Sequence, residues 1–257
     1  MAKIKDLIEY IEEFAPLSLQ GDFDNCGLKT GNTEQEATGV MVTLDTNVSV
    51  VEDAIQNKCN LIIEHHPSIF HSLKQLDSRL PLIQAITLAI KNDIVIYSAH
   101  TNIDFCKDGL NDFVAKQMGL ENIRLCGDIS EPRIGELKTS VTLMEYAETL
   151  KKIFNDKNIK TIGDTNKKIS KVAVINGGGG SSEQDVLCAY YAGADVYVTG
   201  DVKYNVARLA KDLNYAIIQF GHYDSEQGFM TLISDLLAQK FKNIKIHKAT
   251  SLLNPYN

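Results

Sequence analysis

What the chain lacks narrows the field first. No apolar run in its 257 residues reaches the roughly 18 that a membrane span needs. The opening Met1-Ala2-Lys3-Ile4-Lys5-Asp6 leads into a mixed-charge segment and not into an apolar signal core. The five cysteines, Cys26, Cys59, Cys106, Cys126 and Cys188, include no CxxC spacing. That speaks against a structural zinc cluster built from sulfur and reads as reduced thiols in a cytoplasmic protein. Basic charge is not in excess either: 26 Lys and Arg face 33 Asp and Glu, for a net charge of -7. A nucleic-acid partner is therefore disfavoured, while an anionic small molecule is still admitted where a metal supplies local positive charge. With 44% hydrophobic residues and modest net charge the chain is not disordered, and it is long enough for one large core or two smaller ones.

What is present alternates. Ile4, Leu7, Ile8, Ile11 and Phe14 recur at helical spacing and Pro16 stops them. A loop rich in Gly, Asp and Asn follows over 21–31. Val40 to Leu44 and Leu61 to Ile63 predict buried strands, with a helix between them capped by Asn47. Residues 81–91 predict a helix, 94–97 a strand and 108–118 a helix. The second half predicts helices over 143–154, 183–191, 203–213 and 227–240, and strands over 171–175, 196–198 and 216–218. Continuous apolar strands alternating with helices imply an α/β fold with mainly parallel sheets covered on both faces. The polar stretch Gly127 to Gly135, with Pro132, predicts a linker.

The halves resemble each other. Residues 60–67 align with 195–202 at a shift of 135, and 98–104 with 220–226 at a shift of 122. The period is too long for a solenoid and points to two internally related α/β lobes. The repeat carries His-x-x-x-carboxylate twice, as His100 with Asp104 and His222 with Glu226, each directly after a predicted strand. His65-His66 stands at a third strand end, so four of the six histidines lie at three such places. In open α/β sheets ligands gather beyond the carboxyl ends of strands. A single histidine there is ordinarily a surface or hydrogen-bonded core residue. Two adjacent histidines point to opposite sides of an extended strand, so they serve one site only if the chain turns, which Pro67 favours. Imidazoles mixed with carboxylates suit a dinuclear metal centre.

Glu64 has three readings, a general base, a carboxylate that orients a ligand histidine, or an ordinary polar residue at a strand end or helix cap, and Asp45 shares the last two. Gly177-Gly178-Gly179-Gly180-Ser181-Ser182, between a strand and a helix, is either a phosphate-holding nest or a tight turn. It lacks the P-loop lysine and does not complete GxGxxG. Asp22 to Gly27 reads as turns rather than as a pocket lining.

Together, His65-His66-Pro67-Ser68-Ile69-Phe70, Ser98-Ala99-His100-Thr101-Asn102-Ile103-Asp104, Thr199-Gly200-Asp201-Val202-Lys203-Tyr204 and Gly221-His222-Tyr223-Asp224-Ser225-Glu226 resemble, in order and from the first helix to the last, the motifs of the GTP cyclohydrolase I type 2 family, also called Nif-three-like. The resemblance implies two interlocked α/β lobes and a site for two divalent ions, Zn, Fe or Mn, held by His65, His66, Asp104, His222 and Glu226. His100 would stand beside the metals. Because His222 and Glu226 must then reach the first half, the expected lobes are 1–126 plus 216–257, which bind metal, and 127–215. The family also implies a toroidal homohexamer. Phe23 stands where the family often has Trp, and Asn205 where it often has His.

The activity implied is hydrolysis of GTP to 7,8-dihydroneopterin triphosphate and formate. Two ions would acidify a water for attack at C8 of the guanine, with His100 and Glu64 as proton carriers. Two other readings fit the same residues: a metal-binding interaction or regulatory scaffold without catalysis, and a metal-dependent phosphoesterase.

Overall fold

The structure is a computed structural model and describes residues 2–127, 132–251 and 254–256. Helix α1 (Ile4–Phe14) buries the predicted stripe of Ile4, Leu7, Ile8 and Ile11. Strands β1 (Gly27–Thr30) and β2 (Val40–Thr43) follow. The Asn47 side chain accepts from the Val50 N–H and so caps α2 (Val48–Gln56). Next come β3 (Leu61–Glu64), α3 (Pro81–Lys91) with Pro81 in its first turn, β4 (Val95–Ser98) and the short α4 (Thr101–Phe105).

The second compact unit runs from Asp108 to Gly228. It holds α5 (Leu110–Gln117), β5 (Leu120–Leu125), β6 (Arg133–Thr142), α6 (Leu143–Phe154), β7 (Lys160–Ile162) and β8 (Lys168–Val174). It continues with α7 (Glu183–Tyr191), β9 (Val196–Thr199), α8 (Tyr204–Asp212), β10 (Ala216–Gln219) and α9 (His222–Glu226). Helix α10 (Gly228–Lys240) and β11 (Ile246–Lys248) then return the chain to the first unit, Met1–Lys107 with Phe229–Asn257.

The boundaries therefore differ from those expected. Residues 108–126 belong to the second unit because β5 pairs with β6. Residues 216–228 belong there because β10 lies between β9 and β7. The expected linker ends in β6, whose first residue is Arg133; its residues 128–131 lie outside the described residues. The predicted loop over 21–31 likewise contains β1, an edge strand of four residues, too short for its alternation to register in the sequence.

In the first unit the sheet order is β1-β4-β3-β2-β11. The three pairs from β4 to β11 are parallel and β1 is antiparallel to β4. Both faces are buried: Met41, Ile62 and Ile96 pack with Val50, Val51 and Ala54 of α2 and with Ala85 and Ala89 of α3. On the other face Tyr97 reaches α1, where its hydroxyl donates to Glu12 at 3.1 Å. The second sheet, β5-β6-β8-β9-β10-β7, corrects the expectation of mainly parallel pairing. Only β8–β9 and β9–β10 are parallel, and the other three pairs are antiparallel. Short connections such as the one between β5 and β6 permit antiparallel neighbours without a crossover helix. No helix among the described residues is long and apolar enough to cross a membrane.

The internal repeat appears as one device used twice. In each unit a central parallel pair, β3–β4 or β9–β10, ends in a short helix, α4 or α9. The strand ends fix the equivalence: Ala99 N–H donates to the Glu64 carbonyl as Phe220 N–H does to Thr199. By that register His100 corresponds to Gly221 and not to His222. His100 is the residue before α4, whereas His222 is the first residue of α9. The two His-x-x-x-carboxylate pairs are thus offset by one position along otherwise similar scaffolds.

Candidate metal centre

In the first unit the site begins where β3 ends. The N–H groups of His65 and His66 both point at the carbonyl of Leu44, at 3.1 and 2.9 Å. Successive N–H groups of a strand point in opposite directions, so the chain has turned at this pair. The turn brings the two rings to 5.0 Å between centroids. His100, in the connection after β4, adds a third ring at 5.1 Å from His65 and 5.7 Å from His66.

Each ring is held through Nδ1. His65 Nδ1 is 2.9 Å from the Ala99 carbonyl oxygen, His66 Nδ1 is 2.9 Å from Asp45 Oδ1, and His100 Nδ1 is 2.8 Å from Asp24 Oδ1. All three partners are oxygens that accept, so each Nδ1 carries the hydrogen and donates it. Nε2 is left with the lone pair, in the tautomer and direction a metal requires. One ligand atom from each of His65, His66 and His100 falls within 4.8 Å of the others. Three imidazole nitrogens at this spacing fit a borderline divalent cation. Asp104, on α4, places Oδ1 at 3.8 Å from His65 Nε2.

Asp24 lies in a predicted turn, and its side chain does more than shape it. It accepts from His100 Nδ1, from Thr101 N–H at 3.1 Å, from the Thr101 hydroxyl, and from Cys26 Sγ at 3.1 Å. Burial alone would raise its pKa, but those donors and the His100 ring outweigh burial and hold the carboxyl well below the usual range. Asp45 takes the orienting role its position suggested.

Glu64 stands outside the histidine cluster. Its side chain is fully buried, and Oε1 accepts from Ser68 N–H at 2.7 Å and from Ser98 Oγ at 2.6 Å. Burial pushes its pKa up, against the lowering effect of these donors. It ties the chain after His65-His66-Pro67 to the end of β4.

The second unit presents His222 and Glu226 on successive turns of α9. His222 Nδ1 is 2.7 Å from Asp201 Oδ2, and its Nε2 is 3.2 Å from Glu226 Oε2. The same logic applies: a carboxylate fixes Nδ1 and turns Nε2 to the buried Glu226. Asp201 sits just beyond β9 with φ 49, a left-handed backbone that Asp tolerates better than most residues.

The glycine-rich segment settles as a packed turn. Gly177 has φ +60, and a Cβ there would run into Glu226 Oε1 and stand 3.2 Å from His222 Nε2. Its N–H donates to Ser225 Oγ at 3.0 Å. The N–H groups of Gly180, Ser181 and Ser182 donate to the carbonyls of Gly200, Gly178 and Gly179. Those N–H groups are spent inside the protein and are not offered to a phosphate. Glycine is needed at 177 because backbone approaches the His222–Glu226 pair closely.

A family model described as Duf34/NIF3 (NGG1p interacting factor 3) matches residues 2–255. The chain belongs to the Duf34/NIF3 family. It is 36% identical over 242 residues to a protein of Clostridium acetobutylicum named GTP cyclohydrolase 1 type 2 homolog, covering 91% of this chain and 89% of that one. Among solved structures it is similar to a Bacillus cereus protein related to NIF3, with a TM-score of 0.90, 25% identity and coverage of 100% and 99% of the two chains. It is also similar to reduced HcgD from Methanocaldococcus jannaschii, with a TM-score of 0.81, 30% identity and coverage of 96% and 97%.

Every histidine expected at the site is thus oriented by an acceptor on Nδ1. Asp24 and Asp201 were missed in these roles. Asp24 lies 76 positions from its histidine, and no spacing in the sequence signals such a pair. Asp201 stands within Thr199-Gly200-Asp201-Val202-Lys203-Tyr204, where nothing in the sequence identifies its partner.

Proposed function

We propose that the chain is a metal-dependent hydrolase of the GTP cyclohydrolase 1 type 2 kind, with two divalent ions held by His65, His66, Asp104, His222 and Glu226. The observation that carries this reading is that the imidazoles of His65, His66 and His222 each have Nδ1 engaged by an acceptor, leaving Nε2 for a cation. The name borne by the Clostridium acetobutylicum relative supports the substrate class. Divalent ions at these donors supply Lewis acidity and lower the pKa of water to near neutrality.

The residues of the chain do the rest. The Ala99 carbonyl and Asp45 keep His65 and His66 in one tautomer. His100, donating from Nδ1 to Asp24, keeps Nε2 as the atom that takes a proton from an approaching group. Glu64 is the second proton carrier in this reading; it also holds the histidine turn through Ser68 and Ser98. With a net charge of -7, an anionic nucleotide needs the cations to offset repulsion. The functional unit is proposed as a cytoplasmic toroidal homohexamer, checked by light scattering of the purified protein.

The experiment is incubation of the metal-loaded protein with GTP, reading formate and pterin fluorescence against free phosphate. Formate with pterin supports the cyclohydrolase. Phosphate alone would move the assignment to a phosphoesterase. No turnover with tightly held metal would favour a scaffold, a reading that the words "interacting factor" in the family description also favour.

A further inference from the structure

The described cysteines are all thiols, and two of them meet far along the chain. Cys126 follows β5, fully buried, where its N–H donates to the Pro132 carbonyl at 2.9 Å. Cys188 lies on α7 and is half-buried. Its Sγ is 2.7 Å from the Cys126 carbonyl oxygen, and a Cβ on Gly127 would stand 3.6 Å from the same sulfur. Cys188 Sγ is therefore seated on the Cys126-Gly127 backbone, and the two thiols interact side chain to side chain. Cys126 and Cys188 also belong to one apolar cluster, with Val186, Ala189 and Tyr215 around them. The remaining cysteines bond elsewhere: Cys26 to Asp24, Cys59 to the Asn57 carbonyl and Cys106 to the Ile103 carbonyl.

We propose that Cys126 and Cys188 form a redox-active dithiol, a modification site that low-molecular-weight disulfides such as glutathione disulfide convert to an intramolecular disulfide. Access sets the order of events. Cys188, the more exposed thiol, attacks one sulfur of the glutathione disulfide as its thiolate; that S–S bond breaks and one glutathione leaves. The Cys126 thiolate then attacks the Cys188 sulfur, the mixed disulfide breaks, and the second glutathione leaves. Two protein thiols are oxidised by two electrons, one glutathione disulfide is reduced to two thiols, and the two cysteine protons end on the two glutathiones.

The product has a property set by its surroundings. Burial and the facing Cys188 push the Cys126 thiol up to about 12. A thiol of that kind is a poor leaving group, and its sulfur is shielded from external attack. Reductants are therefore restricted to the Cys188 sulfur and must expel the worse leaving group, so re-reduction is slow relative to that of an exposed disulfide. The bond ties the turn after β5 to α7, the helix that leads out of the glycine-rich segment.

The test uses the reduced full chain and rising ratios of glutathione disulfide, read by intact mass and by a non-reducing peptide map. The expected result is a loss of about 2 Da, one for each hydrogen removed. A single linked peptide should hold Cys126 and Cys188, while Cys26, Cys59 and Cys106 stay open to alkylation after unfolding. The oxidised protein should melt at a higher temperature, and a dithiol should reverse both changes. Cys188→Ser should abolish the mass loss. A stable glutathione adduct on Cys188, a bond to another cysteine or to a second chain, or no oxidation at all would overturn the proposal. The peptide map of the unmutated protein decides the matter even if Cys188→Ser fails to fold.

Discussion

Replacing Asp24 with Asn tests whether orientation of His100 matters to the metal centre. The side chain of Asp24 is shielded from solvent and takes hydrogen bonds from His100, Thr101 and Cys26. The carboxylate offers acceptors in every direction. An amide offers one oxygen, and its NH2 must face one of the former donors. If it faces His100 Nδ1, the ring changes tautomer and its lone pair turns away from the metal side. Loss of such an orienting partner costs about 10- to 100-fold in activity. At about 1.4 kcal/mol per decade that is about 1.4 to 2.7 kcal/mol. The assay is formate release from GTP by the metal-loaded protein at matched metal content, with far-ultraviolet circular dichroism to show that the fold is kept. Thr101→Val, which removes one hydroxyl donor and leaves the imidazole bond, should cost much less. If Asp24→Asn releases formate as fast as the parent protein, then His100 is not a proton carrier, and the orienting role of Asp24 falls with it.

Gly177→Ala should expel Glu226 from its place and strain a left-handed backbone, at a cost of about 1 to 3 kcal/mol; denaturant unfolding and metal content should fall together. Glu226→Ala or His65→Ala should lose metal and formate release in parallel, measured on the same preparations, and full activity without metal would refute the mechanism. Glu64 has a folded pKa raised above its ordinary 4.5, so the folded protein holds a proton that the unfolded chain releases. Its contribution to stability is full below about pH 4.5 and declines as pH rises through the folded value. Glu64→Gln should flatten that decline in urea titrations of metal-free protein, and an unchanged slope would place the titration elsewhere. Thr142 accepts from Glu145 N–H and completes a capping box on α6; Thr142→Ala should cost about 1 kcal/mol in thermal or denaturant unfolding.

The prediction for Asp24 could not have been framed from the chain alone, and the reason is physical. Buried parallel strands and amphipathic helices repeat over a few residues, so β2, β3, α3, α6 and α7 were legible as patterns. Adjacent histidines at a strand end were legible too, and Pro67 beside them announced a turn. Edge strands such as β1, β5 and β7 bury too little to show a period, and antiparallel neighbours leave no mark that separates them from parallel ones.

What the amino-acid order determined was local: where apolar faces run, where helices start, and which imidazoles stand at strand ends. The tertiary structure decided which oxygen meets each Nδ1, that His65 and His66 share one side, and that Gly177 yields its space to Glu226. Those outcomes depend on groups brought together from as far as 76 positions apart. Such contacts are selected by packing of whole sheets and helices, a condition that no short window of sequence contains.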